Sequence, residues 1–203
     1  MTQVVLASNN AKKLIELRRI LEPLVPGIEV LGLADVTPYD EPAETEPTFE
    51  GNALLKARAC LAVTALPSLA DDSGLCVDAL NGMPGVLSAR WSGVSKADGG
   101  DAANNALLLS QLGDVPDERR TARFVCAMAL CTPDGVELVQ LGEMPGRILH
   151  GEHGKGGFGY DPLFAADGYD VSTAELPADE KDRISHRGKA LTAIAPALVA
   201  ALT

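Results

Sequence analysis

Apolar positions along the chain switch between two periods, and the switches outline its elements. Gln3 to Ala7 is a short apolar run that ends in Ser8-Asn9-Asn10, after which Leu14, Leu17, Leu21 and Leu24 repeat at helical spacing. This reads as strand, polar turn and helix, with Pro23 and Pro26 breaking the helix. Ile28 to Leu33 predicts the next strand and completes a βαβ unit. Asp35 to Thr48 is rich in Pro, Glu and Thr without periodicity, a loop long enough to be functional or mobile. Phe49 to Ala65 predicts a second helix anchored by Leu54, Leu55 and Leu61, and Pro67 to Ala70 leads, strand-like, into Asp71-Asp72. Asp101 to Leu112 reads as a short Ala/Leu helix. Thr121 to Cys131 and Val136 to Gly142 are β-rich and flank Thr132-Pro133-Asp134-Gly135, a hairpin signal in which Pro presets one torsion and Gly supplies the positive one. A Gly-rich loop, Gly154 to Gly159, and a terminal helix from about His186 follow. An early βαβ unit with a later hairpin predicts an α/β fold with a mixed sheet.

Length and composition narrow the class. The 203 residues fit one domain, or two closely associated lobes, and 46% hydrophobic against 22% charged residues is ordinary for a globular chain. A formal charge of -11 disfavours non-specific nucleic-acid binding but not a small anionic substrate, because a local cluster of cations reverses the potential of one site. Cys60, Cys76, Cys126 and Cys131 form no CxxC pair and read as small buried hydrophobes in a reducing cytoplasm. No signal peptide is visible, and the most apolar stretch, Ala190 to Leu202, is too short to span a bilayer. The expectation is a soluble cytoplasmic protein.

Four segments carry candidate chemistry. Ser8-Asn9-Asn10-Ala11-Lys12-Lys13 lies between a strand and a helix start, which is either an anion site built on free backbone N–H groups or a plain helix cap with solvated lysines. Asp71-Asp72-Ser73-Gly74 follows a presumed strand. Adjacent strand residues point to opposite faces, so one acid faces a given site. A carboxylate at a strand end beside a small turn suits Mg²⁺; the alternative is a turn or capping Asp. Gly154-Lys155-Gly156-Gly157-Phe158-Gly159 matches GxGxxG literally, but Tyr160-Asp161-Pro162 follows and no helix opens there, so the dinucleotide reading fails. What remains is backbone able to approach a flat ligand, with Phe158 and Tyr160 available to stack and Asp161 to accept from base N–H groups. In the basic cluster Lys181 to Lys189, Lys181 reads as a phosphate partner and His186 and Arg187 as donors, or the cluster is a solvated helix start capped by Ser185.

In register, Ser8–Lys13, Thr48-Phe49-Glu50-Gly51-Asn52-Ala53, Ala70–Leu75, Pro84–Arg90, Gly156–Pro162 and Ser185-His186-Arg187 resemble the Ham1-like inosine triphosphate pyrophosphatase family from Val4 to about Ala197. The resemblance implies one domain over residues 1–203 made of two α/β lobes, an active site in the cleft between them, and a homodimer. It implies cleavage of ITP, dITP and XTP between the α and β phosphates, removing deaminated purines from the nucleotide pool. By position, Ser8, Asn9, Asn10, Ala11, Lys12, Lys13 and Lys56 would hold the triphosphate, and Glu44 and Asp72 would serve Mg²⁺, with Asp72 also the base for the attacking water. Ser73 and Arg90 would lie against the substrate, and Phe158, Gly159, Tyr160, Asp161, Lys181, His186 and Arg187 would embrace base and phosphates. One position departs: where the family carries an acid two residues after Phe49, this chain has Gly51, with Glu50 before it; either the metal site is weakened, or Glu50 substitutes, or the lost acid was only a helix-start charge. A non-catalytic nucleotide sensor is the alternative that this departure leaves open.

Overall fold

The structure, a computed structural model, describes residues 2–202, without the side chains of Thr2, Lys12 and Glu16. Its strands form one sheet in the order β2-β1-β3-β4-β5-β6. β1 (Thr2–Leu6) pairs parallel with β2 (Ile28–Leu31) and with β3 (Ser68–Val77), in a register that sets Val4 beside Val30 and Leu6 beside Leu69. β4 (Thr121–Cys131) and β5 (Glu137–Ile148) follow, and β5 pairs antiparallel with β6 (Phe164–Ala166). The sheet is therefore mixed, as the sequence pattern predicts. At the β4–β5 hairpin the turn closes as expected, with the Gly135 N–H donating to Thr132 O at 3.0 Å and φ +93° at Gly135.

The chain divides into two compact units. The first comprises residues 1–72, 126–142 and 186–203, the second 73–125 and 143–185, and β3, β4 and β5 each contribute residues to both. The first unit carries α1 (Ala11–Leu24), α2 (Phe49–Thr64) and α5 (His186–Leu202). In its core Leu17 and Leu21 of α1 and Leu191, Ile194 and Leu198 of α5 pack with Val4, Leu6, Leu69 and Met128 of the strands. The second unit carries α3 (Gly100–Gln111) and α4 (Ala178–Ile184). Its core gathers Leu75, Leu108, Leu112, Met144, Leu163 and the edge-on ring pair Phe124–Phe164, centroids 4.8 Å apart.

The structure corrects four details. Pro23 does not break α1: it sits inside the last turn, where Val25 N–H still reaches Leu21 O at 2.8 Å, and Leu24 beside it is exposed. The buried face of α2 is not its leucines but Phe49, Asn52, Ala53, Ala57 and Cys60. Small side chains let that face approach its neighbours closely, and the partly exposed leucines lie to its sides. β3 does not end at the acids; it runs on through Asp71-Asp72-Ser73-Gly74 to Val77, nearly all of it buried. β5 likewise extends beyond Gly142 to Ile148. All four cysteines are buried, and among the described residues no helix is long and apolar enough to cross a membrane.

Candidate active site

Two buried acids in mid-strand need strong compensation, because an unpaired carboxylate in the interior costs several kcal/mol. The strand's alternation divides the compensation between its faces. Asp71, 2% exposed, is met by helices α1 and α5: Lys13 Nζ lies 2.9 Å from Oδ2 and 3.0 Å from Oδ1, and Arg187 Nε and Nη2 each lie 3.3 Å from Oδ2. Asp72, 6% exposed, is met by α2: Asn52 Nδ2 donates to Oδ2 at 3.1 Å and Lys56 Nζ to Oδ1 at 3.1 Å. Asn52 and Lys56 are four residues apart, so one turn of α2 presents both. The same Lys56 Nζ donates to Glu44 Oε1 at 3.0 Å, which draws the acidic loop to the cluster.

The adjacent acids end with opposite affinities for a proton. Burial alone would raise the Asp71 carboxyl, but Lys13, Arg187 and Lys56 together hold it well below the usual carboxylate range. At Asp72 burial, the largest influence, and the neighbouring Glu44 charge outweigh Lys56 and Asn52, and its carboxyl is pushed up. Burial works against the Lys56 ammonium, yet Asp72, Asp71 and Glu44 overcome it and hold the proton on. Asp71 is thus a fixed anion, whereas Asp72 is the more basic of the two.

The turn before α1 is built as a cap. Asn10 Oδ1 accepts from Lys13 N–H at 3.4 Å, Ser8 Oγ accepts from Asn10 N–H at 3.2 Å, and Asn9 Nδ2 reaches Glu41 Oε2 at 2.9 Å. The cap leaves Ala11 exposed at the helix start and aims Lys13 at Asp71; the side chain of Lys12 lies outside the described residues. Arg187, read from sequence as a base or phosphate donor, is 2% exposed and paired with Asp71, and His186 is buried as the first residue of α5.

In the second unit the Gly-rich loop folds back on Asp161. Asp161 Oδ2 accepts from Phe158 N–H at 2.8 Å and from Lys181 Nζ at 2.6 Å, and Oδ1 accepts from Thr173 Oγ1 at 2.9 Å. A Cβ on Gly157, where φ is +70°, would stand 2.1 Å from Asp161 Oδ2, so only glycine fits. Lys181 Nζ also lies 5.6 Å from the Phe158 ring centroid. Tyr160 is not available to stack: its ring is in the core and its hydroxyl donates to Ser88 O at 2.9 Å. That leaves Phe158 as the half-exposed aromatic of the loop. No helix opens at this loop, in keeping with rejection of the dinucleotide motif. Arg90 is exposed at the end of a 3-10 turn, Gly85–Arg90, and Ser73 follows Asp72 on β3, partly buried.

Gly51 has a structural reason. A Cβ there would stand 2.6 Å from Glu46 Cβ and 3.2 Å from Glu46 Oε2, so the space an acid at 51 would take is filled by Glu46, not by Glu50. Glu46 N–H is pinned to Asn52 Oδ1 at 3.0 Å, the same amide that holds Asp72. Sequence reading missed Asn52 as a site residue. Its signal was a polar residue one turn before Lys56 on a small-residue helix face.

Fold and site define a mixed α/β protein with a buried acid–lysine centre in one unit and an acid-braced Gly loop in the other. The chain belongs to the Ham1 family, whose model matches residues 4–197. It is 63% identical over 201 residues to a protein named dITP/XTP pyrophosphatase from Nocardia farcinica, covering 98% of this chain and 96% of that one. Among solved structures, the nucleoside-triphosphatase or dITP/XTP pyrophosphatase of Mycobacterium abscessus is 55% identical, with a TM-score of 0.77 and coverage of 96% and 99%. A HAM1 protein from Coxiella burnetii is 38% identical, with a TM-score of 0.87 and coverage of 99% and 100%.

Proposed function

We propose that this chain hydrolyses non-canonical purine nucleoside triphosphates (dITP, XTP and ITP) to the monophosphate and pyrophosphate, with Mg²⁺, as a cytoplasmic homodimer. The observation that carries the reading is Asp72: a buried, proton-avid carboxylate held by Asn52 and Lys56 beside Glu44, in a chain closely related to dITP/XTP pyrophosphatases.

The donor set fits Mg²⁺. Glu44 Oε1 and Asp72 Oδ1 both converge on the Lys56 ammonium, at 3.0 and 3.1 Å, so two hard oxygens already face one positive charge. An ion there would be held by these one or two carboxylates plus water and phosphate oxygens rather than by a protein cage. Mg²⁺ bound there would supply charge neutralisation on the phosphate oxygens. Asp72 orients a water for in-line attack on phosphorus and takes its proton. Lys13 and Lys56, both partly buried beside the acids, neutralise charge that develops as the α–β anhydride opens. Phe158, Lys181 and Asp161 receive the base. A backbone N–H of the loop suits the 6-keto oxygen of hypoxanthine or xanthine, and adenine's amino group would leave that donor unpaired.

A panel of ITP, dITP, XTP, dUTP and the four common triphosphates tests the reading through pyrophosphate release. Strong release from the 6-keto, deaminated purines that stops on chelation of Mg²⁺ is expected. ATP cleaved as efficiently as ITP would overturn the selection argument. ITP binding without pyrophosphate release would mark a sensor instead. Sedimentation velocity reads the dimer.

A further inference from the structure

We infer that α3 is the positioning element of the base-holding loop, through Asp101 and Asn105. These two side chains, one helical turn apart, grip the Gly159 residue by both of its backbone polar groups: Gly159 N–H donates to Asp101 Oδ2 at 3.1 Å, and Asn105 Nδ2 donates to Gly159 O at 3.2 Å. Gly159 stands at φ +60° between Phe158 and Tyr160, so fixing its two peptide planes fixes the direction of the backbone on either side, at Phe158 and at Tyr160.

Apart from Gly156 N–H donating to Ala174 O at 3.0 Å and Phe158 N–H to Asp161 Oδ2 at 2.8 Å, the loop depends on α3 to hold its Gly159 end. Four of the residues 154–159 are glycine, which supply no side chain to pack and lose the most freedom on ordering. The same helix also holds the turn that carries Arg90: Asn104 Nδ2 donates to Ser88 O at 3.2 Å, and Asn104 Oδ1 accepts from Ser92 N–H at 2.7 Å. Ser88 O is also the acceptor for the Tyr160 hydroxyl, at 2.9 Å. One face of α3 therefore sets two segments assigned above to the substrate.

Asn105 is a poor choice for stability. It is 4% exposed in the interior of a helix, where Asn is a weak former, and its buried Oδ1 has no hydrogen-bond partner among the described residues. A side chain selected for packing would be Ala or Leu. The Nδ2 donor to Gly159 is what an apolar residue could not provide. Neither Asp101 nor Asn105 is placed against the reacting atoms; both act through Gly159.

The inference rests on the reading of this loop as the base holder, and its test separates the two. Asn105→Asp keeps shape but turns an acceptor toward Gly159 O, whereas Asp101→Asn keeps an oxygen for Gly159 N–H. With the full chain, Asn105→Asp is expected to raise KM for dITP about tenfold with kcat within about threefold, and to lower the dITP-over-dATP ratio of kcat/KM about tenfold. Asp101→Asn should stay within about twofold of the parent, and Asp101→Ala should match Asn105→Asp, which keeps the test alive should Asn105→Asp fail to fold. A general loss of folding scales both substrates alike and leaves the ratio unmoved. Hydrogen exchange at the Gly159 amide gives a substrate-independent readout, with faster exchange expected in both Asn105→Asp and Asp101→Ala. If the parent shows no dITP preference, the base-holder reading falls, while exchange still decides the grip. Unchanged exchange and an unchanged ratio in folded variants would overturn the inference.

Discussion

Each unit buries carboxylates, but the two do so by opposite means. Asp71 and Asp72 in the first unit are met by charged groups brought from three helices: Lys13, Lys56 and Arg187, with Glu44 joining through Lys56. Those three cations and three acids sum to zero formal charge. Asp161 in the second unit has Lys181 but is otherwise held by neutral donors close to it, the Phe158 N–H and the Thr173 hydroxyl. A balanced charge network is sensitive to any ion added to it, which suits phosphates and a divalent cation. A carboxylate bound by one cation and two neutral donors, the Phe158 N–H of the loop and the Thr173 hydroxyl beyond it, instead fixes a shape, which suits discrimination of a base. On the function proposed above, charge would serve chemistry in one unit and form in the other.

The comparison is broken most severely at Asp72. Asp72→Asn keeps shape and an acceptor oxygen but removes the proton-accepting carboxylate and one anion facing Lys56. Pyrophosphate release is expected to fall by at least about 10³-fold, roughly 4 kcal/mol of barrier, while the thermal transition shifts little. Near-parental rates would remove Asp72 from the mechanism.

Its neighbour should give the reverse profile. Asp71→Asn strands Lys13 and the 2%-exposed Arg187 opposite a neutral group. Removing one partner of a buried ion pair costs about 3 kcal/mol, to be read from urea unfolding. Two isosteric changes one residue apart, one costing turnover and the other stability, would show that strand alternation separates a reactive from a structural acid. Equal effects of both on turnover would merge them into one centre.

Much of this was legible in the chain, because the period of apolar positions changes sharply between Ala7 and Leu14 and again after Ala65. Strand β1, helices α1, α2 and α5 and the β4–β5 hairpin follow from it. The reach of β3 was not legible. Acids normally end a strand, and these two persist only because Lys13 and Arg187, 58 and 116 residues away from Asp71, neutralise it in the fold. The buried face of α2 was not legible either, because alanines and Asn52 pack there while its leucines, the more apolar residues, stay partly exposed. Helix α3 read as plain Ala/Leu, since the use of Asn104 and Asn105 depends on loops that only the fold brings to them.

The smallest expected effect tests why the first turn of α2 carries a glycine at position 51. In a helix Ala is favoured over Gly by about 1 kcal/mol. At Gly51 the added Cβ would stand 2.6 Å from Glu46 Cβ, which belongs to the stem of that side chain and cannot swing aside without moving the loop backbone. Overpacking of this kind costs about 1–3 kcal/mol, so Gly51→Ala should destabilise the chain by about 1 kcal/mol. In a Glu46→Gly background the obstacle is gone and the helix preference alone remains, so the same substitution should stabilise by about 1 kcal/mol. The change of sign, measured as a double-mutant cycle by chemical denaturation, is the diagnostic. A Gly51→Ala effect of the same sign in both backgrounds would mean that Glu46 does not fill the place of the missing acid, and that the cluster around Asp72 is looser than Lys56 and Asn52 make it.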